Sequence, residues 1–253
     1  MKDNCIRNFI NSSSLGVYTK YIRIEDGQKY LVKSGRGDGK NITSILEPVT
    51  ECICYELAKL MGIPCAEYRL EDSDSGLLCV SKWFFDETKE KFYSANKLLR
   101  ILELNREDLY HTFIKYAPNV EQDLNNMIVF DYIVNNTDRH LKNFGFLIQN
   151  ENISFAPIYD NGLALGSHLD DEEIECEELD DLLLDADYAK CFDTSNRKQL
   201  DLVKKSTLNI DIDYEKVVKK YLSYLSDKRL EFILALLRER IEVVRECLYQ
   251  NQK

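Results

Sequence analysis

Asp138, Asn143 and Asp160 are three side chains in one stretch whose types and spacing suit metal-assisted phosphoryl transfer. One carboxylate can orient a hydroxyl group and take its proton. An amide oxygen five positions further on can bind Mg²⁺ without adding a second charge. A later carboxylate can hold metal ions that bridge nucleotide phosphates, and such hard oxygens suit Mg²⁺. The stretch DYIVNNTDRHLKNFGFLIQNENISFAPIYDNGLAL carries all three. Within it, Phe144 to Gln149 and Ile153 to Phe155 read as a hairpin through Asn150-Glu151-Asn152, which returns the chain and brings Asp160 back toward Asp138 and Asn143. Taken singly, each of these residues is as readily a helix cap or turn residue. Spacing, hairpin and Asp160-Asn161-Gly162 together favour chemistry.

The elements that must position them divide the chain in two. Val17 to Ile24 is rich in β-branched and aromatic residues, Asp26-Gly27 is a hairpin turn, and Tyr30 to Lys33 is the return strand. Ser34 to Gly39 carries three glycines and reads as a loop. Pro48 suits the first turn of a helix. Ile53, Leu57, Leu60 and Met61 recur at helical spacing before Gly62. Two more strands follow, Cys65 to Leu70 and Leu77 to Lys82, separated by a turn-rich stretch from Glu71 to Gly76. The remainder is mainly helical, with candidates at Asn96 to Leu104, Leu109 to Tyr116, Leu124 to Val134 and Val217 to Leu225. Ile233, Leu237, Ile241, Val244 and Leu248 mark a long amphipathic C-terminal helix. The expectation is an α+β protein: a small antiparallel β lobe with one helix over 1–85, and a larger, mainly helical lobe over 86–253.

The interval from Asp138 to Asn143 is also that of the Asp and Asn in a protein-kinase catalytic loop, and Asp160-Asn161-Gly162 stands where protein kinases have Asp-Phe-Gly. NNTDRHLKN followed by PIYDNGLAL resembles the catalytic core of HipA-like kinases, the serine/threonine kinases found as toxins in bacterial toxin–antitoxin systems. The Asn-Thr-Asp-Arg core also resembles the phosphatidylinositol 3-/4-kinases. The similarity is clear over Asp131 to Leu165 and weaker over Lys33, Glu51 to Pro64 and Leu77 to Phe85. It implies a two-lobed protein-kinase-like fold, ATP and Mg²⁺ as cofactors, Asp138 as catalytic base, and Asn143 and Asp160 as metal ligands.

In kinases a strand Lys contacts the α/β-phosphates and pairs with a helix Glu. Lys33 and Glu51 take those places here, with Glu47 and Glu56 as competitors for the second; the plain alternative is a pair of solvated surface charges. Leu78 to Trp83 is then the strand leading into the hinge, where backbone groups around Val80 and Lys82 would meet adenine. HipA-like kinases carry an acidic residue around Ser81, so this sequence departs from the pattern there. Trp83 reads equally as a core residue. Asn11 to Gly16 is a candidate phosphate-covering loop, with Ser14 and Gly16 against the phosphates, though it lacks G-x-G-x-x-G. By resemblance, Ser12, Ser13 and Ser14 are candidates for an inhibitory autophosphorylation, and His140 orders the catalytic loop beside the nucleotide. His168 reads as exposed.

Composition limits the alternatives. The 253 residues suffice for one large domain or two packed lobes. No stretch approaches the roughly 18 apolar residues of a membrane span, and the start, MKDNCIRNFINSSS, has no apolar run of the kind a secretion signal needs. A cytoplasmic protein is expected, although signal-independent export leaves no such trace. Eight cysteines without a C-x-x-C pair read as thiols in a reducing compartment. Net charge is −11, yet the acidity is local: Asp170 to Asp187 holds eleven of the 44 acidic residues and no basic one, leaving 33 to balance 33 Lys and Arg. No basic face for direct nucleic-acid binding and no patch for an anionic membrane is evident. The expected partners are a protein substrate with a Ser or Thr acceptor and, because full-length HipA carries an extra N-terminal domain, an antitoxin-like or N-domain-like protein. The acidic run follows Asp160 as an activation segment would. It reads as mobile, and either recruits basic substrates or is a solvated loop. A phosphoinositide or small-molecule kinase, and a nucleotide-binding pseudokinase, are the competing readings.

Overall fold

The structure, a computed structural model, describes residues 8–9, 20–35, 46–74, 76–150, 152–179, 181–182 and 191–249. Ser12, Ser13, Ser14 and Gly16 lie outside them, as does part of the acidic run. Five antiparallel strands form the first sheet in the order β1-β2-β3-β5-β4: β1 (Asn8–Phe9), β2 (Lys20–Glu25), β3 (Gln28–Ser34), β4 (Tyr68–Ser73) and β5 (Gly76–Lys82). Asp26 and Gly27 both take positive φ, 48° and 79°, the geometry of a type I′ turn that matches strand twist. The stretch expected as a turn from Glu71 to Gly76 is mostly strand, because β4 and β5 stay paired as far as Ser73 and Gly76.

The register decides which side chains face inward. Lys33 pairs with Cys79 and Leu31 with Ser81, so these four share one face. Val32 and Val80 lie on the other, packed with Leu78 against Tyr21 and Tyr30. Helix α1 (Leu46–Met61) crosses the inward face, and Gly62, at φ 80°, ends it. Val49, Ile53, Leu57 and Met61 of α1 belong to the same core as the helical part of the chain. A parallel bridge between Cys65 and Ile158 adds a second link, with Ala66 N–H donating to Ile158 C=O at 2.9 Å and Ile158 N–H to Pro64 C=O at 2.8 Å.

Beyond the sheet come α2 (Ala95–Ile101), α3 (Leu109–Tyr116) and α4 (Glu121–Ile133), the last buried all round from Leu124 onward. The expected hairpin is present as β7 (Gly145–Gln149) and β8 (Asn152–Phe155). A strand not anticipated from sequence, β6 (Lys91–Ser94), pairs with β7 to complete a three-stranded sheet. The helix expected over 217–225 is instead α7 (Tyr214–Lys219) and a separate 3₁₀ turn at Leu222–Tyr224; the C-terminal helix α8 spans Asp227–Val244. Together these elements make a small antiparallel β layer with one helix and a larger mixed, mainly helical body.

Of the acidic run, residues 170–179 and 181–182 are described. Its first part folds as α5 (Asp171–Cys176), capped by reciprocal bonds between Asp170 and Glu173, with Ile174 buried. Asp171 accepts from the buried Arg229 of α8 at 2.6 Å, and Arg229 also donates to Gly166 and Leu169 carbonyls at 3.2 and 2.8 Å. A counter-charge distant in sequence therefore anchors a segment that charge repulsion alone would leave loose. After the run, α6 (Asn196–Leu200) returns the chain to the core, with Ser195 as its cap.

Gly145 opens β7 where two strands approach closely. A Cβ there would meet the Tyr93 carbonyl oxygen and sit 2.7 Å from the Phe92 ring. Gly145→Ala is expected to destabilise the fold by about 1–3 kcal/mol through overpacking, read as a lower urea midpoint with an unchanged slope.

Candidate active site

The catalytic-loop candidate begins where α4 stops. Asn135 takes positive φ (48°), and Asn136 N–H donates to Asp131 C=O at 2.9 Å. The Asn136 amide then bridges the turn: its Nδ2 donates to Asp131 Oδ1 at 3.1 Å, and its Oδ1 accepts from Asp138 N–H at 3.0 Å. His140 N–H donates to Asp138 C=O and Asn143 N–H to His140 C=O, both at 2.8 Å. Asn143 Nδ2 closes the loop on Asp138 C=O at 2.9 Å. The loop is tied to the segment after Asp160 by Thr137 N–H to Leu163 C=O and Leu165 N–H to Val134 C=O, at 3.2 and 2.8 Å.

Arg139 underlies this loop and is 2% exposed. Its guanidinium grips Asp131, also 2% exposed, in a bidentate pair, with Nε to Oδ2 at 2.8 Å and Nη2 to Oδ1 at 2.9 Å. Nη1 donates to the carbonyls of Asn143 at 2.7 Å and Tyr159 at 2.6 Å, and Nη2 reaches Asn161 Oδ1. One planar fork thus fixes the backbone of Asn143 and that of the residue preceding Asp160. Burial raises the Asp131 pKa, and the Arg139 charge opposes only part of that rise.

Lys33 Nζ donates to Glu51 Oε1 at 3.1 Å and to Asp160 Oδ1. Glu51 is 3% exposed, and its Oε2 accepts from Asn161 N–H at 2.8 Å, which joins α1 to the residue after Asp160. Asp160 has φ 61°, and its N–H donates to the Tyr68 hydroxyl at 3.0 Å. Burial opposes the charge on each member of this group. For Lys33, the carboxylates of Asp160 and Glu51 outweigh burial and raise its pKa well above the usual value. For Asp160, Lys33 outweighs it and holds the carboxyl at about 2. For Glu51, burial wins and its pKa is raised despite Lys33. The group rests as an ammonium between carboxylates.

These side chains line a cleft with two cavities that share Lys20, Lys33 and Asp160. The smaller, about 210 Å³, lies along α1 beside Glu47, Glu51 and Gly162. The larger, about 560 Å³, has Asn143 and His140 at one end and Leu31, Ala66, Tyr68, Phe84, Phe92 and Tyr159 as apolar walls. Phe84 stacks on Tyr159 with ring centroids 5.7 Å apart. Trp83 and Lys82 also line it, so Trp83 is not a core residue. Of the described candidates, Val80 and Asp138 are not among the residues that line the two cavities. Asp138 stands beside Asn143, whose Nδ2 lies 3.4 Å from its Oδ2. Strand alternation turns the Val80 side chain into the opposite cluster, and Cys79 and Ser81 take the cleft side. Of the Glu51 competitors, Glu56 turns away to Lys220 and Tyr221. His168 is exposed.

Several site residues carried no signal that the sequence reading used. Lys20 pairs across the sheet with Lys33, and burial followed by the Lys33 charge lowers its pKa. Arg139, Asp131 and Asn161 form the buried frame. Two lysines on paired strands, each within reach of a carboxylate, were the clue available for Lys20. The described residues contain no group of three or more His, Cys, Asp or Glu placed to hold a metal ion. Asp160 and Asn143 are two hard oxygen donors, which fits Mg²⁺, an ion that keeps waters and phosphate oxygens as its other ligands.

The fold is a two-lobed, protein-kinase-like α+β fold. A HipA-like C-terminal domain model matches residues 12–201, and the chain belongs to that family. Among solved structures, the Helicobacter pylori proinflammatory kinase CtkA is similar with a TM-score of 0.69 at 16% identity, over 97% of this chain and 93% of CtkA. HipA from the Shewanella oneidensis MR-1 toxin–antitoxin system, solved with HipB and operator DNA, is similar with a TM-score of 0.50 at 14% identity, over 93% of this chain and 65% of that one. No curated protein sequence matches. No helix of the described residues is long and apolar enough to cross a membrane.

Two outcomes test the electrostatic frame. Asp131→Ala leaves the Arg139 charge buried and uncompensated, and is expected to cost about 3–5 kcal/mol, measured by urea unfolding at neutral pH. Asp160, with its folded pKa depressed, contributes stability that is full above the unfolded value near 4 and is lost as pH falls toward 2. The difference in unfolding free energy between wild type and Asp160→Asn is therefore expected to be constant from about pH 7 to 5 and to narrow between about pH 4 and 2. A constant difference down to the acid end would show that Lys33 does not favour the ionised carboxylate.

Proposed function

We propose that this protein is an ATP- and Mg²⁺-dependent serine/threonine protein kinase of the HipA-like type. The observation that carries the proposal is the convergence of Lys33, Glu51 and Asp160 from three separate elements on a cleft with apolar walls that Asn143 also lines, with Asn143 hydrogen-bonded to Asp138. Leu31, Ala66, Phe84 and Tyr159 would enclose an adenine ring, with backbone groups near Lys82 reading its edge. Lys33 and Lys20 would contact the phosphates, Glu51 holding Lys33 in place. Ser14 and Gly16, outside the described residues, would cover them.

Asn143 spends its Nδ2 on Asp138 C=O, which turns its Oδ1 to the other side. That oxygen and the Asp160 carboxylate would hold Mg²⁺. Bound Mg²⁺ supplies neutralisation of charge on the transferring phosphoryl group. Asp138 would orient the acceptor hydroxyl and take its proton. His140 keeps the Asp138 carbonyl engaged through its N–H and so helps fix the loop. Catalysis on such a site comes from positioning and charge stabilisation.

A protein acceptor fits the exposed acidic residues around α5, which favour a basic surface at low salt. An antitoxin-like or N-domain-like partner protein belongs to the same proposal, supported by the HipA relative solved with HipB. A cytoplasmic site of action, with no membrane surface and no direct nucleic-acid contact, completes it. Autophosphorylation within Ser12 to Ser14 would place about −1.5 to −2 charges beside the phosphates and shut the enzyme off.

The test is incubation with labelled ATP and Mg²⁺, followed by mass spectrometry of the protein. Trp83 is the one tryptophan of the chain and lines the larger cavity, so its fluorescence reads nucleotide binding. Asp138→Asn is expected to bind Mg²⁺-ATP as wild type does and to transfer phosphate about 10²- to 10⁴-fold more slowly. Near-normal transfer by this variant would remove Asp138 as the base. Binding without any transfer by wild type would identify a nucleotide-binding regulator instead of a kinase.

A further inference from the structure

The two ends of the catalytic loop rest on a piece of chain that lies beyond the acidic run. Asn196, at the start of α6, is 1% exposed. Its Nδ2 donates to Asn135 Oδ1 and to Asn136 C=O, both at 3.2 Å. Its Oδ1 in turn accepts from Gln199 Nε2 at 3.2 Å, and Gln199 Oε1 accepts from Phe192 N–H at 2.9 Å. The Phe192 ring packs against Phe144 with centroids 5.9 Å apart, and Phe144 directly follows Asn143. Residues 192–199 therefore touch the loop twice, once just before Asp138 and once just after Asn143.

We propose that Asn196 is a positioning residue for Asp138, acting through Asn135 and Asn136. The physical reasons are local. Asn135 is held in a left-handed conformation that a residue with a side chain adopts at a cost, and its own Nδ2 has no partner among the described residues. The bond from Asn196 is the one polar contact described for that side chain. Asn136 carries the load forward, because its Oδ1 holds the Asp138 N–H and its Nδ2 holds Asp131. A carboxylate in place of the Asn196 amide would turn acceptors against the two acceptors it now serves, with almost no change of volume. The strain would fall on the turn that aims Asp138, while the Lys33–Glu51–Asp160 group, fixed by Arg139 and α1, would keep its place.

This inference rests on the kinase reading for its kinetic arm and on geometry alone for its exchange arm. Wild type, Asn196→Asp and Gln199→Met are compared with Asn126→Asp. Asn126 is a buried amide that accepts from Ser206 and Thr207, away from the cleft, and serves as the control. In single-turnover assays with Mg²⁺-ATP, Asn196→Asp is expected to lower the rate of phosphate transfer at least tenfold. Its dissociation constant for Mg²⁺-ATP, read by Trp83 fluorescence, should stay within twofold. Gln199→Met should do the same more weakly, and serves if Asn196→Asp does not fold. Asn126→Asp should lower the unfolding midpoint without changing the transfer rate. In hydrogen exchange, which needs no activity, the amides of 135–143 should exchange faster in Asn196→Asp while those of β3 and β5 do not change. Unchanged exchange over 135–143, or a fall in rate matched by an equal loss of nucleotide affinity, would overturn the proposal. Inactivity of wild type would count against the kinase reading only, and the exchange result would still decide this one.

Discussion

The buried pair of Arg139 and Asp131 is the constraint on which the site depends. Two metal-ligand candidates stand at the two ends of a hairpin, β7 and β8. The ends are joined by the Tyr159 hydroxyl donating to the Lys142 carbonyl and, most extensively, by one guanidinium, whose donors point in fixed directions within a plane. It binds the Asn143 carbonyl, the Tyr159 carbonyl and the Asn161 side chain at once, while Asp131 ties it to α4. A lysine has the charge but not the fork, and could serve at most a part of this set. Desolvation makes the pair costly in isolation, so its worth lies in geometry more than in net stability.

The same logic extends outward through Glu51. Its carboxylate takes one bond from the Asn161 N–H and one from Lys33, so the α1 side of the cleft is locked to the Asp160 segment, whereas Lys33 rides on the sheet. The inward face of the sheet meets α1 and the main core through Leu77, Tyr68 and Cys79, while Val32, Leu78 and Val80 form a separate small cluster on its other face. Raised pKa at Glu51 and depressed pKa at Asp160 fit this arrangement: the deeper carboxylate pays more for burial, and Lys33 gives more of its charge to the shallower one.

What the sequence made legible were local relations. Asp138 and Asn143 are close in the chain, and a short hairpin returns to Asp160-Asn161-Gly162, so spacing and hairpin together suggested a site. Leu109 to Tyr116 was readable to the residue because its polar and apolar positions alternate with helical period and Asp108 caps it. Arg139 and Asp131 were not legible as a frame. A buried arginine looks like an exposed one in sequence, and α4 is buried on every side from Leu124 onward with Asn125, Asn126 and Asp131 among its buried residues, so periodicity gives no face to which Asp131 belongs. The side on which the Val80 side chain lies was not legible for a different reason. Strand parity follows from register, and a shift of one position exchanges inside for outside. Strand β6 was missed because four residues pair with a partner more than fifty positions away, and no local pattern records that.

The start of the acidic run is held by a positive charge from a distant part of the chain. Eleven carboxylates without a base do repel one another, but the run is not alone. Arg229, from the C-terminal helix, takes Asp171 and two carbonyls of the preceding turn, and so holds the start of the run and the segment after Asp160 in one grip. On the far side, Phe192 and Asn196 hold the chain against the catalytic loop. The run is thus pinned at both flanks to elements that carry the site. Among the described residues of the run, Asp171 alone pairs with Arg229; Glu172, Glu175, Glu177 and Glu178 are exposed. Attraction of a basic surface by these carboxylates acts at long range and is screened by salt, whereas the bonds of Arg229 to Gly166, Leu169 and Asp171 and of Asn196 to Asn135 and Asn136 are short-range contacts that fix the two flanks of the run.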